Sequence, residues 1–280
     1  MTVCVYLPLC PVLYYRTDMT IFHSIFLGIV EGITEFLPIS STAHLIIASK
    51  FLYIPQTDFQ KTFEIVIQLG AVLSVVVLYA SSLLRKKKVW LKVLAAFIPT
   101  GIIGFVLHHF IKKFLIGNIT VVTWSLFIGG ILLIIFELLH REKEASIDDI
   151  AHLSYTKAAL IGVFQALAVI PGVSRSAATI VGGMLLGIKR KTIVDFSFLL
   201  AIPTMLAASG LDLLKSGSEF SGDEYVQLAA GFITAFIVAY IVAKWFIRYV
   251  QKHSFIGFGI YRIVIAVLVG VMLMQGVMGS

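Results

Sequence analysis

Two carboxylates, Glu31 and Glu35, stand four residues apart in the stretch EGITEFLPISSTAH at 31–44. On a helix this spacing puts both on one face. Two anions that close in a low-dielectric medium repel, so either one takes up a proton or a cation sits between them. No Cys or His cluster accompanies them, and the donors are oxygens, so Mg²⁺ or Ca²⁺ suits Glu31 and Glu35 better than zinc. Pro38 stops the helix, and Ser40, Ser41 and Thr42 follow at the break. Hydroxyl residues there are good caps for the next helix, which is their plain structural role. His44 lies one helical turn past Ser41, however, and a Ser–His pair at that spacing can supply a nucleophile and its base. A lone histidine is most often structural, but one beside two carboxylates in an apolar chain is better read as functional.

A second stretch, PGVSRSAATI at 171–180, has the opposite chemistry. Pro171 and Gly172 break the chain, Ser174 and Ser176 flank Arg175, and Thr179 follows. Free N–H groups at the start of a helix form an anion site by geometry and dipole. Arg175 adds a planar fork that matches phosphate oxygens. An arginine can also snorkel to the surface, but Arg175 sits far from either flank of its apolar segment. The two stretches together describe a site for a phosphate ester or anhydride. The apolar part of such a substrate would stay in lipid.

The elements that must carry these residues are apolar. The chain has 280 residues, 59% of them hydrophobic and 13% charged, with a mean hydropathy of +0.99. Soluble domains carry roughly 25% charged residues, so this is an integral membrane protein. The net charge of +7 comes with no basic face and no zinc or RNA-binding motif, so no nucleic-acid partner is expected. Runs of spanning length are predicted at about 62–84, 92–113, 119–139, 193–214, 226–249 and 256–276. Two further apolar segments, 21–49 and 158–188, are broken by Pro, Ser and Gly. Broken backbone is tolerated in hydrocarbon only where protein buries it or it lines a wet cavity. Both are therefore predicted to be re-entrant helix–loop–helix hairpins.

The halves also resemble each other. GIVEGITEFLP at 28–38 matches GVFQALAVIPG at 162–172, and two further blocks match at the same offset of 133 to 134 residues. Gln165 then stands in the place of Glu31 and Val169 in that of Glu35, so Glu31→Gln is expected to cost less than Glu35→Gln. A constant offset implies an internal repeat. With one hairpin and three spans per repeat, the second enters from the opposite side. The expected architecture is all-α and polytopic, an inverted-topology repeat with two re-entrant hairpins and about six full spans. Its expected divisions are a first repeat at 19–140, a cytoplasmic loop at 141–157 and a second repeat at 158–280. With the loop near 85–92 cytoplasmic, fourteen basic residues fall on the cytoplasmic side and six on the other, as the positive-inside rule requires. Arg175 and Arg262 are left within the membrane. Residues 1–18, which hold both cysteines, Cys4 and Cys10, read either as an extension from an upstream start codon or as a short interfacial segment. We assign the cysteines no chemistry. The sequence leaves a homodimer open.

EGITEFLPISSTAH and PGVSRSAAT resemble the two motifs of bacterial undecaprenyl-diphosphate phosphatase, the bacitracin-resistance protein family. DFSFLLAIP at 195–203 and GFITAFIVA at 231–239 are also similar to it, and the likeness runs from about Met19 to the C-terminus. It implies a hydrolase of the bacterial cytoplasmic membrane that converts a polyprenyl diphosphate to the monophosphate carrier of cell-wall synthesis. It implies an active site open to the outer face. It places the family's glutamates, as ligands of a divalent ion, on Glu31 and Glu35, its serine and histidine on Ser41 and His44, and its phosphate-binding residues on Ser174 and Arg175, with Ser176 and Thr179 nearby. Which of Ser41 and His44 is the nucleophile stays open. A transporter or flippase of polyprenyl phosphate is the alternative, because inverted repeats with broken helices are also the transporter plan.

Overall fold

A computed structural model describes residues 19–80, 87–114, 118–142, 146–215 and 220–276. The N-terminal stretch 1–18 and the end of the first apolar run lie outside the described residues.

Helix starts are set by hydroxyl and amide caps. Thr20 caps α1 (Ile21–Thr34), Thr57 caps α3 (Asp58–Leu78), and Asn118 caps α5 (Ile119–Leu139). Ser154 caps α6 (Tyr155–Ala166), and Ser221 forms a capping box with Glu224 at α9 (Gly222–Tyr249). The remaining helices are α2 (Ser41–Phe51), α4 (Lys87–Phe114), α7 (Arg175–Leu185), α8 (Arg190–Lys215) and α10 (Ile256–Met274). Six of these are long and apolar enough to cross a membrane: α3, α4, α5, α8, α9 and α10. The protein is thus all-helical and multi-pass, as its hydropathy requires. Large apolar side chains remain exposed on the outer helix faces, among them Phe22, Phe105, Leu132 and Leu268. That is the surface expected where the solvent is lipid.

In each half of the chain, two short helices precede three long ones. The short helices are exchanged between halves. α1 packs on α9, and its counterpart α6 packs on α4. Glycines allow the close approach. A Cβ at Gly28 would meet the Gly231 carbonyl at 2.7 Å, and one at Gly162, which is 134 residues later, would run into the Ala96 carbonyl. Thr100 Oγ1 donates to Gly162 O at 2.7 Å and fastens that second contact. Gly162→Ala is therefore expected to wedge α6 off α4 and lose about 1–3 kcal/mol. Gly210→Ala, where a Cβ meets nothing within 4 Å, is expected to be neutral or slightly stabilising. Thermal unfolding of both variants in detergent checks the contrast.

The region at 141–157 is not wholly a loop. It includes a 3₁₀ turn at Ile150–His152 and the start of α6. Ile147 also pairs with the segment after α7, donating to Gly187 O and accepting from Lys189 N, both at 2.9 Å. This ties the connection between the halves to the end of the second broken segment.

Candidate active site

The two broken segments meet. The first runs from α1 through 35–40 into α2, and the second from α6 through 167–174 into α7. Each break ends on a serine in the left-handed region, Ser40 with φ 72° and Ser174 with φ 71°. They stand 134 residues apart, the offset of the repeat. Non-glycine residues in that region cost of order 1–2 kcal/mol each. The same strained turn, used twice, swings each chain into the helix that follows.

Between the breaks lies a cavity of about 240 Å³. Glu35, Ser41 and Thr42 line it from the first break, and Ser174 and Arg175 from the second. Ser40 from the first break, Gln68 on α3 and Thr204 on α8 complete its polar lining with Thr100 and Gln165. Glu35 is the hub. Its Oε2 accepts from Ser41 Oγ at 2.6 Å, and its Oε1 accepts from Arg175 Nη2 at 2.7 Å. Arg175 Nη1 donates to Ser197 O at 3.0 Å, and its Nε is buried without a partner. The guanidinium is held 5.8 Å from the centre of the Phe36 ring.

Several expectations change here. Ser40, at the cap position of α2, makes no side-chain cap bond, and Ser41 turns back to Glu35. Only Ser174 caps, accepting from Ala177 N at 3.2 Å. Ser41 and His44 share a helix face but do not bond to each other. A helical side chain leans toward the N-terminus of its helix, which carries Ser41 to the break and to Glu35. His44 Nδ1 lies 2.7 Å from Ser40 O, and Nε2 lies 2.9 Å from the Tyr261 hydroxyl. A carbonyl only accepts, so Nδ1 carries a hydrogen, and in the neutral ring Nε2 accepts from Tyr261. Sequence neighbours offer Glu35 no cation, yet the fold brings it Arg175 from the other half.

The remaining expected site residues divide. Ser176 Oγ donates to Phe36 O at 2.8 Å and staples α7 to the first break. Thr179 Oγ1 bonds Arg175 O at 3.0 Å and also Ser197 Oγ. Neither lines the cavity; both fix the frame around Arg175. Glu31 is fully buried, and both its oxygens lack a hydrogen-bond partner. Its counterpart Gln165 donates to Thr100 and Thr204, each at 3.1 Å. Ser197 and Thr204 escaped the sequence reading, although they lie seven residues apart on one face of an apolar span. Polar residues at that spacing are themselves a signal.

Comparison with known proteins fits this geometry. Residues 24–268 match the family described as bacitracin resistance protein BacA. The chain is 56% identical over 250 residues to the undecaprenyl-diphosphatase of Aquifex aeolicus (strain VF5), covering 89% of this chain and 97% of that protein. It is 51% identical to the undecaprenyl-diphosphatase of a Sulfurihydrogenibium species (strain YO3AOP1), covering 89% and 98%. It is 48% identical to the undecaprenyl-diphosphatase of Wolinella succinogenes, covering 89% and 97%.

Proposed function

This chain belongs to the bacitracin resistance protein BacA family, and from that premise we propose how its two breaks act together. The protein is an integral membrane phosphatase that hydrolyses undecaprenyl diphosphate to undecaprenyl phosphate and phosphate. The monophosphate is the lipid carrier returned to cell-wall synthesis. The observation that carries the mechanism is Glu35 held between Ser41 at 2.6 Å and Arg175 at 2.7 Å in the cavity wall.

Arg175 and the N–H groups at the start of α7 take the terminal phosphate. Ser41 Oγ attacks its phosphorus while Glu35 accepts the hydroxyl proton. The bond from that phosphorus to the bridging oxygen breaks, and undecaprenyl phosphate leaves. Water then attacks the phosphoserine. Glu35 returns its proton to Ser41 Oγ, and the water's hydrogens depart with phosphate. His44, bonded to Ser40 O and Tyr261, supports the first turn of α2.

The residues fit a divalent ion. Glu31 presents two buried oxygens that accept no hydrogen bond. Among the described residues, no three His, Cys, Asp or Glu gather into a metal cluster. Mg²⁺ commonly needs only one or two carboxylates beside substrate phosphates and water. Such an ion, held by Glu31 behind the cavity lining, would supply positive charge beside Glu35. Because Arg175 and Ser41 occupy the oxygens of Glu35, Glu31→Gln should shift metal dependence more than Glu35→Gln does, the reverse of what the repeat alone suggests. Chelator is expected to abolish phosphate release and Mg²⁺ or Ca²⁺ to restore it. Full activity in metal-stripped protein would leave the glutamates as an acid–base pair.

Both broken segments re-enter from the membrane surface, since their helices, of 11 to 14 residues, are short of the roughly 20 a span needs. The basic loops place Arg190 at the cytoplasmic face. Thr204 is then about 21 Å along α8, past the middle of a core roughly 30 Å thick. We read the cavity as opening to the outer side of the cytoplasmic membrane, because its α8 lining, Thr204, Met205 and Ala208, runs away from Arg190. The test is phosphate release from undecaprenyl diphosphate by purified protein in detergent. One phosphate and one undecaprenyl phosphate per substrate are expected. Bound lipid with no phosphate released would favour a transporter instead.

A further inference from the structure

Arg262 is the largest fully buried side chain among the described residues, and nothing in the mechanism above uses it. It enters from α10, a helix that gives no residue to the cavity lining. Its five N–H groups meet five main-chain carbonyls. Nε donates to Leu126 O at 3.4 Å, Nη1 to Pro38 O and Val173 O at 3.2 Å each, and Nη2 to Ser125 O and Gly172 O at 3.0 Å each. A guanidinium has five such donors, so all are used. No ion pair among the described residues involves it.

The five acceptors explain the placement. Pro38 belongs to the first break and Gly172 and Val173 to the second. Their carbonyls sit where helix pairing is interrupted, and a buried carbonyl left unpaired is costly. Ser125 and Leu126 belong to α5, so the same fork ties both breaks to a spanning helix. A glycine surface admits it. A Cβ at Gly129 would collide with Arg262 Nη2, and Gly130 and Gly259 bring the backbones of α5 and α10 together. In a trans peptide, C=O and N–H point opposite ways. With Val173 O fixed on Arg262, the Ser174 N–H is turned away from Arg262, and Ser174 itself lines the cavity.

We propose that Arg262 is a positioning residue of the phosphatase site: one buried guanidinium pins the two breaks to each other and to α5, and so sets Ser41 and Arg175 in register across the cavity. Its charge is balanced by no carboxylate among the described residues. This rests on the phosphate-clamp role of Arg175 given above.

The test is a double-mutant cycle on purified full-length protein, with turnover of undecaprenyl diphosphate expressed per folded enzyme from size-exclusion. Arg262→Lys keeps a charge but cannot span five carbonyls, and a misplacement near 1 Å can lower rate on the order of a hundredfold. We expect a loss of ten- to a hundredfold, with Arg262→Lys/Arg175→Lys no more than about threefold below Arg175→Lys alone, because both act on one clamp. A purely structural role would instead leave turnover per folded enzyme unchanged or make the losses multiply, and either result overturns the proposal. If Arg262→Lys does not fold, Gly129→Ala, which pushes the guanidinium aside without removing it, is expected to lower turnover in the same non-additive way; wild-type turnover there overturns it equally. Absence of phosphate release by the wild type would count against the phosphatase mechanism, not against this role.

Discussion

Ser41→Ala is expected to lower turnover by roughly three orders of magnitude or more, the usual scale for removing a nucleophile. Ser41 is buried at 8% exposure yet lines the cavity, and its hydroxyl is committed to Glu35 at 2.6 Å. Alanine keeps the helix start, since Ser41 does not cap α2, and leaves Glu35 bonded to Arg175. The loss should therefore fall on the chemical step, with thermal stability little changed. His44→Ala should cost much less, because neither ring nitrogen contacts Ser41 and the ring is outside the cavity lining. Phosphate release at saturating lipid checks both. Equal losses in the two variants would return His44 to the position of base or nucleophile.

Arg175→Lys is the second large effect, on the order of a hundredfold, or about 3 kcal/mol for one lost contact to developing phosphate charge. The guanidinium already serves Glu35 and Ser197 O and keeps Nε unengaged. Only a planar fork can hold a carboxylate on one side and present a further N–H on another. Lysine has one ammonium at the end of a flexible stem. It can satisfy Glu35 or reach phosphate, but not in the same geometry. Near-wild-type turnover in well-folded Arg175→Lys would remove the clamp from the mechanism.

The long elements were legible because lipid imposes a simple rule: a span is a long apolar run, and six such helices occur where hydropathy placed them. The breaks were legible for the converse reason, since Pro, Ser and Gly inside an apolar segment have few other uses. Partnerships within the site were not. Helical spacing paired Ser41 with His44, but the left-handed turn at Ser40 re-aims the chain, and Glu35 six residues upstream becomes the partner. The Glu35–Arg175 bond joins residues 140 apart and follows from the exchange of α1 and α6 between halves, which no local pattern encodes. Arg262 was visible as a charge stranded in a span. Its partners are backbone carbonyls, which leave no trace in residue types.

The measurement that bears most directly on this account is a rapid-quench experiment on the wild type with substrate labelled in its terminal phosphate. During turnover the label should appear covalently on Ser41 and be absent from Ser41→Ala. Full turnover with no label on the protein at any quench time, together with an active Ser41→Ala, would contradict it.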